Sequence, residues 1–181
     1  DLLVRIDERD ESLRSMSGGA TRLIRTEEHR KLMFEAIEEA KFDLYIVSAF
    51  VAPRAFDDEL VRALASAIAS EVNIHIAWGL GAQTVVGAEV QRNRNRGDKA
   101  LSRLREVVPR KSRRRLEIVR AETHEKFLIC DDRYVVSGSF NWLSYRGELD
   151  DGYRRETSYY SERRSDVRLW LENAKALFGH E

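Results

Sequence analysis

The stretch from His124 to Asn141 concentrates side chains able to handle a phosphate group. His124-Glu125-Lys126 is followed by four residues and Asp131, then by six more and Gly138-Ser139-Phe140-Asn141. Lys126 supplies positive charge, and Ser139 and Asn141 supply neutral donors. His124 supplies a nitrogen able to attack phosphorus or to move a proton. Alternate residues of an extended segment share a face, so His124 and Lys126 project to one side. A turn at Asp131-Asp132 would bring Ser139 and Asn141 back beside them.

Those residues need a scaffold, and the chain before them has a regular pattern. Thr26 is placed to cap a helix carrying Met33, Ala36, Ile37 and Ala40, and Leu44–Phe50 follows as a short apolar run that reads as a buried strand. The pair recurs: Asp57 caps a helix with Leu60, Leu64, Ala67 and Ile68, and Val72–Trp78 reads as a second strand. This alternation predicts a layered α/β fold with parallel pairing in its sheet. Gly79-Leu80-Gly81 then opens a loop at a strand end, where sites on such folds tend to lie. Further on, the spacing predicts a helix over 98–108 and strands at Leu116–Val119, Lys126–Cys130, Tyr134–Ser137 and Glu156–Tyr160. A closing helix begins at Ser165 or Asp166 and stops at Gly179.

The span His124–Asn141 resembles the HxK(x)4D(x)6GSxN signature of the phospholipase D superfamily, matching every fixed position and both gaps. The resemblance implies a phospholipase D-like fold: α/β, with a mixed, largely parallel sheet flanked by helices, occupying 21–181 after an N-terminal arm or linker over 1–20. It implies that His124 forms a phosphohistidine or protonates the leaving oxygen, and that Lys126, Ser139 and Asn141 bind the phosphate. Asp131 and Gly138 are implied to be structural. An acidic residue on a later strand is implied to hold the histidine's other nitrogen; Glu156 is the candidate, with Glu148 as its rival. A strand glutamate paired with Arg154 or Arg155 would look the same. Family enzymes combine two motifs and this sequence has one, so a homodimer pairing two copies of His124 is expected, as in the family's short nucleases. A second motif elsewhere in a larger chain is the other solution.

Composition bounds the partners. The 31 basic and 31 acidic residues give a formal net charge of zero, but the charge is unevenly spread. The segment 92–120 is rich in Arg and Lys, and Arg92, Arg94, Arg96, Arg113, Arg114 and Arg115 are the expected contacts to a nucleic-acid backbone, with DNA the favoured partner. A solvated basic face would have the same composition. No carboxylate cluster with magnesium or zinc spacing accompanies the motif, so neither metal nor cofactor is expected. The lone cysteine, Cys130, sits in an apolar run and reads as core, in keeping with a reducing, cytoplasmic setting. His75 reads as a satisfied strand histidine, and no apolar stretch is long enough to span a bilayer. Three functions compete: a metal-independent DNA endonuclease, a phospholipid phosphodiesterase or phosphatidyltransferase, and a non-catalytic nucleic-acid-binding module of a larger protein.

Overall fold

The computed structural model describes residues 18–79, 88–121, 123–149 and 152–180. In chain order its elements are β1 (Thr21–Arg25), a 3-10 turn (Thr26–Glu28), α1 (His29–Glu39), β2 (Asp43–Ser48), α2 (Asp58–Ala69) and β3 (Asn73–Trp78). They continue with α3 (Ala88–Val107), a 3-10 segment (Arg110–Arg115), β4 (Leu116–Arg120), β5 (Phe127–Cys130), β6 (Tyr134–Gly138), β7 (Thr157–Ser161) and α4 (Arg164–Phe178). Most of the expected N-terminal arm lies outside the described residues. The described chain enters beside β7, where Ala20 and Glu162 exchange hydrogen bonds.

The strands form one sheet in the order β1-β7-β6-β5-β2-β3-β4. The repeated strand–helix units behave as expected: β2, β3 and β4 run parallel. The expectation of a largely parallel sheet is corrected by the other half, because four of the six pairings are antiparallel. Connection length accounts for the β5–β6 pairing. Only the turn Asp131–Arg133 separates β5 from β6, and a parallel crossover needs a dozen residues or more.

Side-chain alternation divides the core into two layers. Leu44 and Ile46 of β2, with Ile74, Ile76, Leu128 and Val136, face α1, α2 and α3. Tyr45 and Val47, with Ala77, Phe127, Ile129 and Val135, face α4 through Val167, Ala174 and Phe178. Asp57 caps α2 as the sequence predicts, its carboxylate accepting from the Leu60 amide at 3.0 Å. Thr26 does not cap α1. Its hydroxyl is engaged by the Glu156 amide (2.7 Å) and carbonyl (3.1 Å), so the chain makes a 3-10 turn first and α1 starts at His29.

The register puts both halves of the motif at one end of the sheet. Val47 pairs with Phe127 and Phe127 with Ser137, so the segments 124–126 and 139–141 emerge beside the C-terminal ends of β2, β3 and β4. That is the end where open α/β sheets place ligands.

Candidate active site

Before β5 the chain is extended, and its alternation sorts the motif side chains. Glu125 turns toward α4, where Asn173 donates to its carboxylate at 3.2 Å and the Thr123 hydroxyl donates at 3.1 Å. His124 and Lys126 turn the other way together, as the spacing predicts. The Lys126 ammonium donates to the His124 carbonyl at 2.5 Å and sits 3.3 Å from both ring nitrogens, while the ring itself is exposed. Lys126 is only 8% exposed. Burial lowers its pKa from the ordinary lysine value, and the Glu156 carboxylate opposes that shift.

The returning strand delivers the second half. Gly138 has a steric reason: a Cβ there would lie 2.3 Å from the Thr157 carbonyl oxygen and 2.5 Å from the Ser158 Cα, so only glycine lets β6 approach β7. Ser139 then locks onto β7, its hydroxyl accepting from the Thr157 amide at 3.1 Å and donating to the Thr157 carbonyl at 3.4 Å. Asn141 is 8% exposed, and its Oδ1 is buried without a hydrogen-bond partner. His124, Lys126, Ser139 and Asn141 together line an open depression of about 540 Å³, with Glu125, Ser137, Gly138 and Trp170 of α4.

Asp131 lies at the other end of the hairpin. Its carboxylate accepts from the backbone amides of Lys41 (3.0 Å), Phe42 (2.9 Å) and Asp43 (2.9 Å), fastening the α1–β2 connection to the turn. It holds the left-handed conformation (φ 53°) that the tight turn requires.

Glu156 departs from the expectation. It is not hydrogen-bonded to His124 among the described residues; its carboxylate pairs with Arg154 at 3.0 Å, and its field reaches Lys126. The Thr26 hydroxyl, from a distant part of the chain, grips the Glu156 backbone and fixes where the side chain starts. The rival Glu148 lies with Arg146 (2.6 Å) and Arg54 (3.7 Å).

The basic residues expected to act together are separated. Gly97 packs on the Trp78 ring, where a Cβ would sit 2.6 Å away, and this close approach brings Arg94, one helical turn earlier, into a cleft beside Asn141. Arg92 and Arg96 are exposed on α3. Arg113, Arg114 and Arg115 precede β4 and so lie at the opposite end of the sheet. There Arg113 donates to the Val108 carbonyl and Arg115 pairs with Asn73 and Glu71.

Two supports were not foreseen from the sequence. His29 is fully buried behind the motif turn, stacked on Phe140 at 4.1 Å, with Nε2 2.8 Å from the Ser158 hydroxyl. Burial holds it below the ordinary histidine range, against the hydrogen bond to the Thr26 carbonyl. Trp170 contributes to the depression from the apolar stripe of α4, a pattern that signals core contact without signalling a site. His75 is a satisfied strand histidine, held between Asp43 (3.0 Å) and Glu117 (2.9 Å). Cys130 is fully buried. No group of three or more His, Cys, Asp or Glu among the described residues could hold a metal ion.

Residues 33–149 match the family described as cardiolipin synthase, PLD-like domain. The chain belongs to this phospholipase D-like family. Among solved structures it is similar to Nuc, a phospholipase D family member from Salmonella typhimurium, at 18% identity and a TM-score of 0.57, covering 90% of this chain and 96% of that one. It is similar to NucT from Helicobacter pylori at 13% identity and a TM-score of 0.63, covering 90% and 98%. It is also similar to a phosphatidylserine synthase from Haemophilus influenzae at 13% identity and a TM-score of 0.65, covering 88% of this chain and 38% of that one. At these identities the structural likeness establishes the fold and leaves the substrate to the site. No curated protein sequence matches the chain.

Proposed function

We propose that this phospholipase D-like chain is a metal-independent phosphodiesterase, a DNA endonuclease, working through a phosphohistidine in a homodimeric site. The observation that carries the reading is the depression over His124, Lys126, Ser139 and Asn141: every group needed to hold one phosphoryl centre is present, with a single exposed imidazole. A ring nitrogen of His124 attacks phosphorus and the bond to the leaving oxygen breaks, while His124 of the partner subunit gives that oxygen its proton. Water, deprotonated by the same partner imidazole, then displaces His124 from phosphorus and leaves a phosphomonoester. Lys126 and Asn141 from both halves stabilise the charge that builds on the phosphoryl oxygens.

One observation supports a nucleic-acid substrate: arginines rim the site, with Arg94 and Arg154 lining the cleft next to Asn141. The phosphatidylserine synthase likeness and the family description favour a second reading, a phospholipid phosphodiesterase or phosphatidyltransferase. No described helix is long and apolar enough to cross a membrane.

Incubating the purified chain with plasmid, oligonucleotides and phospholipid vesicles, with and without chelator and beside His124→Ala, tests the reading. DNA cleavage that survives chelator and is lost in the variant is expected. Cleavage that requires a divalent ion would overturn the metal-free mechanism, and His124-dependent turnover of lipid alone would select the second reading. Binding of DNA with no turnover of any phosphodiester would select a non-catalytic module.

A further inference from the structure

Asn141 faces two cavities. One is the depression over the motif; the other is a cleft of about 310 Å³ lined by Ala49, Phe50, Val51, Ala52, Trp78, Gly79, Ser144 and the two arginines Arg94 and Arg154. We propose that this cleft is a subsite for one unstacked base of a single-stranded nucleic acid, the base next to the phosphate held over His124. The inference rests on the phosphodiesterase reading and names the form of its substrate.

The walls are built for a flat apolar group with charge around it. In the loop after β2, Ala49 and Val51 are buried and Phe50 between them is 38% exposed, so one aromatic ring is presented from an otherwise packed segment. That loop is not free to drift. The Ser48 hydroxyl donates to the Phe50 carbonyl (2.9 Å) and accepts from the Leu143 amide (3.3 Å), while the Ala52 amide donates to the Leu143 carbonyl (2.9 Å). The ring is therefore referenced to the same turn that carries Asn141. On the rim, the Arg154 guanidinium is held over the Tyr145 ring at 4.4 Å and by Glu156 at 3.0 Å, which fixes a cation where a flanking phosphate would pass. Asn141 marks the junction, because it lines both cavities while its Oδ1 is buried without a hydrogen-bond partner.

Size and charge choose the occupant. The cavity suits a nucleoside and is too small for two acyl chains, and the arginines match a chain of phosphates on either side of the ring. A base inside a duplex is stacked on both faces and paired at its edge, so it enters such a cleft only after flipping out, at a cost of a few kcal/mol. Single strands enter without that cost.

The test measures kcat/KM on one oligonucleotide presented as a single strand, as a duplex, and as a single strand of the same backbone made abasic. The single strand is expected to be cut at least tenfold more efficiently than the duplex, and the abasic strand about tenfold less efficiently than the intact one, mainly through KM, as loss of one base–aromatic stack implies. Phe50→Ala lowers cleavage of the intact strand to near the abasic level and removes the difference between them, while Phe50→Tyr retains it. Phe42→Ala, an exposed phenylalanine at the far end of the sheet, leaves all three rates unchanged. Equal cleavage of intact and abasic strands, or of single strand and duplex, overturns the subsite and leaves the nuclease standing. His124-dependent hydrolysis of phosphatidylcholine vesicles with no cleavage of any oligonucleotide overturns both.

Discussion

Lys126 carries its charge under two opposed influences. Burial disfavours the ammonium and the neighbouring Glu156 carboxylate restores it. Glu156→Gln removes the restoring charge, so the pKa of Lys126 falls further. A phosphate-binding lysine must be protonated, so the alkaline limb of the kcat/KM–pH profile is expected to move to lower pH in the variant, with the acidic limb unchanged. A profile displaced only in height would contradict this and leave Glu156 a positioning residue for Arg154. This part of the site was half legible in the sequence. His124 and Lys126 two apart, and Ser139 and Asn141 beyond a turn, follow from the alternation of extended chain, which is a local property. The partner of Glu156 is not local. It is set by the Thr26 hydroxyl on a distant turn and by the guanidinium of Arg154, and spacing along the chain carries no trace of either.

At the scale of elements, the β5–β6 hairpin joins two different jobs. Its open end supports the proposed phosphate-binding groups; its turn, about 13 Å away for a four-residue strand, carries Asp131, which holds the three amides of residues 41–43. Asp131→Ala leaves those amides without an acceptor, and a loss of stability on the order of 3 kcal/mol is expected, read from the denaturant midpoint. The kcat/KM of the molecules that remain folded should stay within about twofold, as their activation barrier is untouched at the far end. A large fall in kcat/KM with unchanged stability would refute the division of labour. The elements themselves were legible where periodicity was strong, as in α2 with its Asp57 cap and the strands β2 and β3. The balance of the sheet was not, because strand–helix alternation in the first half says nothing of the antiparallel pairings that close the second. The separation within the basic segment was not legible for a similar reason: its arginines are near one another in sequence, but the rest of α3 runs between Arg96 and Arg113 and parts the two groups.

For the whole molecule, the proposed two-histidine mechanism needs a second motif, which a partner copy would supply. Mixing wild-type chains with an excess of His124→Ala chains under exchange is expected to lower activity as the square of the wild-type fraction; a linear fall would show that each chain cuts alone. The placement of Asp131 also changes what the sequence signature can be used for. Under the proposed mechanism its histidine–lysine end reports on reactivity, whereas its aspartate end reports on whether the chain folds. If the proposed mechanism holds, a descendant that exchanged His124 would keep this architecture and its arginine-rimmed cleft while losing the ability to break a bond. Enzymes and silent binders can therefore share this scaffold with little difference in sequence, and a census of the family that scores the aspartate as catalytic will miscount which members are which.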